Sequence, residues 1–580
     1  MTFSAKPNMR KYLDAEYWRL DTAQASYATR HGWSNEDVDI VPPEKRTWRA
    51  FDYAWLWLAD GANVGTMQQA GSVVAMGLSW REASVAIAIG NLMAGAVVGL
   101  NGILGSRCHV PMSIGSRASL GFYLSYFAVF SRFVLGLIYF GCVLSSPLLA
   151  ADRLIARRTN PAFPSINTYI GASCMLIMLE AIWPSLKTYH NALPASQGVA
   201  SNKMIAYFVF WILQFPLVMI HPRKLRYLFM VKSTLAVIAA FALLGWAVHR
   251  GGAGPVFSQK AKVHGAKKSW AYLAGINVVV SSRTTLALNI SDLTRYGRKP
   301  SVTYWQSLYI PITYWVFSFI GIVVSSASQA IYGKLSWDPT TVIARWDSRA
   351  AAFFCAFAFG LATLGTNIST NSVAASNDLA FMVPRWINLR RGSFVVSLIG
   401  GWATAPWKIQ KSATSLTTFL SGYAIVLAPI LAIMICDYYI IRRGRIHVPM
   451  LYQNEGIYRY CNGFNWRALA ALLVAVPVNL PGLIHAINSK VNVGNYLYFC
   501  ESRDHTSDLC LPTDSGNKDK ASWLTAMSMS GCIYTILSLA FPPKDTFVEV
   551  SAFEEGDTWN KAGKDDREAG NIEIPRCRDS

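Results

Sequence analysis

An arginine stands where hydrocarbon leaves little room for one. Arg283 lies within "SSRTTLALNISD" (281–292), in an apolar stretch that runs from about Trp270 to Ile290. A charge at the centre of a membrane helix costs roughly 2.5 to 3.5 kcal/mol on insertion scales, so it has to face protein or water. Its guanidinium is a planar fork of donors suited to a carbonyl or a carboxylate. Asn277, Ser281 and Ser282 precede it. A second polar window, "ADGANVGTMQQAGS" (59–72), carries Asp60, Asn63, Thr66, Gln68, Gln69 and glycines at 61, 65 and 71. A third, "ATLGTNISTNSVAASND" (362–378), carries Thr366, Asn367, Ser369, Thr370 and Asn371. Amides, hydroxyls, Arg283 and Asp60 can hydrogen-bond a heteroatom-rich ring and hold a proton. No paired-histidine metal motif, nucleophile elbow or phosphate-cradling loop accompanies them, which argues against an enzyme.

The elements that position these residues follow from composition. The chain has 580 residues, 52% hydrophobic and 15% charged. A soluble enzyme carries charge nearer a quarter. Apolar runs of about 20 residues recur, each long enough for a hydrocarbon core of about 30 Å. The chain therefore reads as an all-α polytopic membrane protein. No apolar run follows a basic start, so no cleavable signal peptide is expected and the first span serves as the insertion signal. The formal charge of +20 is not a nucleic-acid footprint, because its clusters sit in short loops at 221–232, 294–300, 384–392 and 440–449. The positive-inside rule makes those loops cytoplasmic.

Twelve spans result, at about 51–76, 83–104, 122–150, 204–222, 227–248, 270–292, 304–330, 349–372, 393–405, 412–436, 467–487 and 522–541, with both tails cytoplasmic. The expected domains are a tail (1–50), a first five-helix repeat (51–250), a second (270–436), two additional helices (467–541) and a C-terminal tail (542–580). The apolar piece at 168–183 has no place in this count unless 142–167 is an insertion splitting one long helix; a broken helix is the alternative. A second candidate insertion is 500–521, whose plainer reading is a loop closed by Cys500 and Cys510. Inverted-repeat transporters bind substrate where helices at matching places in the two halves are interrupted. The windows at 59–72 and 276–285 open the two halves, so both are expected to be broken. Helix packing through small residues explains the glycines alone, but not two glutamines and an arginine.

At these residues the chain resembles the nucleobase-cation symporter family one, in its fungal uracil/allantoin permease branch. The resemblance is carried by "GLSWREA" (77–83), "ALNISDLTRYGR" (287–298), "WDSRAAAFFCAFAFGLATLGTNIS" (346–369), "ICDYYIIRRG" (435–444) and "FPPKDTFVE" (541–549). It implies a LeuT-like five-plus-five inverted repeat plus two C-terminal helices. It also implies alternating access and uptake of a nucleobase or related heterocycle coupled to protons. The ring-stacking aromatic falls on Tyr139, where tryptophan is usual, and the glutamine four residues later falls on Val143. The ring-bonding asparagine falls on Asn371. Gln68, Gln69, Ser282 and Arg283 complete the expected substrate wall. The cation site of sodium-coupled relatives maps to Ala362, Gly365 and Thr366, with carbonyls near Gly61 to Val64. Gly365 replaces a hydroxyl there, which favours a proton over sodium. An outer gate maps to Leu416 and Leu420.

Arg283 has three open readings: an ion pair with Asp60, direct contact with substrate, or snorkelling along an aqueous vestibule. Asp60 is the expected proton carrier. Asp292 and Asp378, near helix ends, read as solvated or capping groups. The expected partners are a small heterocycle and the lipid bilayer of the plasma membrane, with no nucleic acid. A nutrient sensor on the same fold is the alternative function.

Overall fold

The computed structural model describes residues 19–20, 34–140, 167–193, 199–220, 226–252, 257–258, 260–402, 420–487 and 521–548. Leu416, Val143, Cys500 and Cys510, and nearly all of both candidate insertions, lie outside them. Helices dominate, and among the described residues seven are long and apolar enough to cross a membrane, with three shorter apolar ones. The chain is membrane-spanning. Large apolar side chains such as Leu92, Phe208, Ile212, Ile536 and Leu539 are exposed on the helix surfaces, as hydrocarbon-facing residues are.

The first span is broken as the sequence predicts. Helix α1 (Ala50–Gly61) stops, and α2 (Val64–Ala75) restarts after Ala62 and Asn63. Asn63 makes the restart: its Oδ1 accepts the Thr66 amide at 2.9 Å, and its side-chain amide donates back to the Asp60 carbonyl. "GLSWREA" starts α3 (Trp80–Cys108) through a capping box. The Ser79 amide donates to Glu82 Oε2 at 2.9 Å, and the Glu82 amide to Ser79 Oγ at 3.4 Å. Glycines along α3 then admit two neighbours. A Cβ at Gly90 would lie 2.8 Å from Val279, and one at Gly95 2.8 Å from Pro311.

Next come α4 (Leu124–Phe140) and α5 (Asn167–Ile182). Thr168 Oγ1 donates to the Phe140 carbonyl at 2.6 Å, so α5 begins where α4 stops. Helix α5, of 16 residues, thus meets the end of the 17-residue α4. Helices α6 (Ser201–Val218) and α7 (Arg226–Gly251) follow.

The sixth span departs from expectation. Helix α8 (Ala266–Asn289) runs unbroken through 276–285 and turns only afterwards, into a short segment Ser291–Thr294. Two hydroxyls of that stretch turn back onto their own helix instead of breaking it: Ser282 Oγ donates to the Val279 carbonyl at 2.8 Å and Thr284 Oγ1 to Val280 at 3.1 Å. Neither glycine nor proline occurs between 276 and 290 to end it.

The rest of the second half is α9 (Gln306–Tyr332), α10 (Arg349–Thr366), a π-helical turn Asn367–Ser372, α11 (Val373–Met382), α12 (Leu389–Trp402) and α13 (Ala424–Cys436). Helices α14 (Trp466–Ile487) and α15 (Ser522–Ala540) close the order. Packing sorts these into groups drawn from both halves. Helices α1, α2, α3, α8 and α9 form one, and α4, α5, α6, α10, α11 and α12 form another. Helix α7 touches both, while α13 to α15 pack beside them. The two groups meet across a polar seam.

Candidate functional site

A cavity of about 120 Å³ opens in that seam. From the first group it is lined by Asp60, Asn63, Thr66, Gln68 and Gln69 at the α1–α2 break and by Ser282, Arg283 and Asn289 on α8. From the second come Tyr139, Asn167, Thr366, Thr370 and Asn371, with Leu420 beside them. The three polar windows of the sequence thus converge on one space. The α2 N-terminus opens on it, adding positive partial charge.

Arg283 is half-buried and is not paired with Asp60. Its NH2 donates to Gln69 Oε1 at 3.2 Å, and its Cζ lies 3.7 Å over the Tyr314 ring. The Tyr314 hydroxyl donates to the Asp60 carboxylate. A phenol on α9 therefore stands between the two charges, its hydroxyl on one and its face on the other. Gln69 has no freedom to flip. Its Nε2 donates to the Val278 carbonyl at 3.0 Å and to Ser282 Oγ at 2.6 Å, so its oxygen is the atom turned to Arg283. Gln69 and Ser282, expected as substrate contacts, hold the arginine in place.

On the opposite wall the π-helical turn widens the helix and turns its amides inward. Asn371 Nδ2 donates to Asn367 Oδ1 at 2.8 Å, while Asn367 Nδ2 donates to Gln214 Oε1 and Thr168 Oγ1, both at 3.1 Å. With an N–H of Asn371 committed, its carbonyl oxygen is the natural acceptor for a ring N–H. The Tyr139 hydroxyl donates to that of Tyr423 at 2.6 Å, which donates to the Ser281 carbonyl at 2.8 Å. That chain ties α4 to α8 through the residue just before α13. Tyr423 was not singled out from sequence, although it lies three residues beyond Leu420, which does line the cavity.

Lys232 is not legible as a site residue in the sequence, because it ends the basic run 221–232 and resembles the loop cations before it. It lies inside α7, 2% exposed, and Nζ donates to Thr366 Oγ1 at 3.2 Å. Its stem fills the space beside Gly365, where a Cβ would stand 2.3 Å from Lys232 Cδ. The region expected to hold a cation, around Ala362, Gly365 and Thr366, thus contains a lysine side chain. A hydroxyl-bearing residue at 365 would collide with it.

Asp292 and Asp378 are not solvated. Both are buried, 5% and 1% exposed, and share Arg132 of α4, itself 1% exposed. Arg132 NH1 lies 3.5 Å from Asp292 Oδ2, and NH2 meets Asp378 Oδ1. Asp292 Oδ1 also accepts the Met112 amide at 2.8 Å. The triad joins the two helix groups one to two turns from the cavity.

Comparison with known proteins agrees with this architecture. A family signature described as "Permease for cytosine/purines, uracil, thiamine, allantoin" matches residues 40–151 and 159–502. An uncharacterised permease of Schizosaccharomyces pombe is 33% identical over 531 residues, covering 90% of this chain and 87% of its own. The uracil permease of Saccharomyces cerevisiae is 31% identical over 472 residues, 78% of this chain and 70% of its own. The allantoin permease of the same yeast is 31% identical over 478 residues, 79% and 71% of the two chains. The fold matches that of Mhp1, a nucleobase-cation-symport-1 family transporter solved closed with bromovinylhydantoin bound. That match has a TM-score of 0.63 at 19% identity and covers 89% of this chain and 98% of that one. It establishes the LeuT-like, all-α fold. The chain is a membrane transporter of the family of permeases for cytosine/purines, uracil, thiamine and allantoin.

Proposed function

We propose that the protein is a proton-coupled symporter of the plasma membrane, with both termini cytoplasmic, that takes up a nucleobase-like heterocycle by alternating access. The substrate class is supported by the uracil and allantoin permeases among its relatives. Tyr139 offers a ring to stack on, and Asn371 an acceptor for a ring N–H. The observation that carries proton coupling is Lys232 buried on Thr366 where a cation site was expected. A protonated lysine there supplies a fixed positive charge, and loss of its proton once the cavity faces the cytoplasm removes that charge. No observation favours the sensor reading.

Uptake of labelled uracil, allantoin and urate into yeast lacking their own permeases tests this. Accumulation should collapse with a protonophore, and Lys232→Met should reach no more than the external concentration while still exchanging substrate. Accumulation by Lys232→Met at the wild-type level would remove the lysine from the coupling mechanism.

A further inference from the structure

We infer that the cavity selects a heterocycle carrying a negative charge, with Arg283 as the residue that reads it. The inference rests on the cavity being the substrate site proposed above. Among the described lining residues only Asp60 and Arg283 are charged, and Lys232 stands immediately behind Thr366. Two cations therefore face one carboxylate, and that carboxylate is already engaged by the Tyr314 hydroxyl. The N-terminus of α2, a helix of 12 residues, points the same way. The surplus charge in this set is positive.

Arg283 is held ready for such a ligand. Its described polar contact within the protein is Gln69 Oε1 at 3.2 Å, a neutral acceptor. Its Nε is enclosed with no acceptor among the described residues. A guanidinium has five donors, and enclosed donors without partners weaken the fold until something supplies them. Tyr314 beneath its face and the fixed Gln69 keep the plane oriented, so little rotamer freedom remains to be lost on binding. A neutral carbonyl satisfies one donor. A carboxylate or the anionic edge of a urate-like ring satisfies two in parallel and adds charge. Asn371 on the other wall accepts the ring N–H. The ligand is thus an oxo-heterocycle with N–H on one edge and an anionic oxygen on the other.

Thermal unfolding of the purified full-length protein, titrated at neutral pH with uracil, allantoin, urate and orotate, ranks the rings by charge. Urate and orotate should bind about tenfold or more tightly than uracil and allantoin, the scale of one charge-assisted hydrogen bond. Arg283→Gln should weaken the anions by about tenfold or more and bring them to the level of the neutral rings, which lose less because the glutamine amide can still donate to one carbonyl. Arg283→Lys, which keeps charge but loses the fork, should leave the anions ahead by a smaller margin. Equal or tighter binding of the neutral rings by the wild type overturns the charge selection while leaving the transporter reading intact. So does an anion preference that survives Arg283→Gln. Failure of every ring to bind overturns both.

Discussion

Tyr314 keeps Arg283 and Asp60 in one layer of the membrane without letting them cancel. A direct ion pair would consume both charges and leave nothing for substrate, whereas a ring face under the guanidinium is worth about 0.5 to 2 kcal/mol and blocks none of its in-plane donors. Gly365 does the corresponding service for Lys232. Because a Cβ there would stand 2.3 Å from the lysine Cδ, Gly365→Ala should destabilise by about 1 to 3 kcal/mol through overpacking. Adding Lys232→Ala should restore the melting temperature of the purified protein but not accumulation. A melting temperature untouched by Gly365→Ala would mean the lysine stem is not packed there. Arg283, Asp60 and Asn371 were legible in the sequence because polar groups in apolar runs are costly and conspicuous. Tyr314 was not, since it sits in "YIPITYWVFSF" (309–319), where aromatics read as lipid-facing bulk. Lys232 was hidden by its neighbours, being the last of a basic cluster whose other members lie before the apolar run.

At the scale of elements, the break expected in the first span is present and the one expected in the sixth is not, for one reason. Asn63 carries an acceptor that caps a new helix, whereas serine and threonine hydroxyls at 282 and 284 return to their own helix. Glycine and asparagine force a choice on the backbone; hydroxyls tolerate either. Composition equally could not tell that Asp292 and Asp378 share a buried arginine, because their pairing spans α4, the turn after α8, and α11. Asp378 and Arg132 belong to one helix group, and Asp292 to the other. Asp378→Asn should therefore cost about 3 to 5 kcal/mol of stability, the usual consequence of removing one partner of a buried ion pair. Asp292→Asn cuts the link between groups instead. It should raise the rate at which a membrane-impermeant thiol reagent, applied from the side of the basic loops, labels a cysteine placed at Asn289. An unchanged rate would show that the triad does not hold the groups together.

For the whole molecule, the proposed alternating access has the two helix groups move past each other with the cavity between them, and what crosses is then decided by the charges enclosed in it. Arg283 and Asp60 travel on the same group and return with it. On the proposed mechanism, only the proton on Lys232 and the substrate are exchanged. If the substrate is a monoanion, one proton and one negative charge enter together and the transport step moves no net charge. Moving one elementary charge through the membrane is worth about 2.3 kcal/mol per 100 mV, so the difference is large enough to measure. In proteoliposomes with the membrane potential clamped by potassium and valinomycin, urate uptake driven by a pH gradient should be nearly the same at zero potential and at an inside-negative potential. Removing the pH gradient should stop accumulation at either potential. Strong acceleration of urate uptake by an inside-negative potential would mean that more positive charge enters than one proton can bring against one anion. Coupling would then need a second titrating group, and Asp60, buried beside the cavity and already bonded to Tyr314, is the place to seek it.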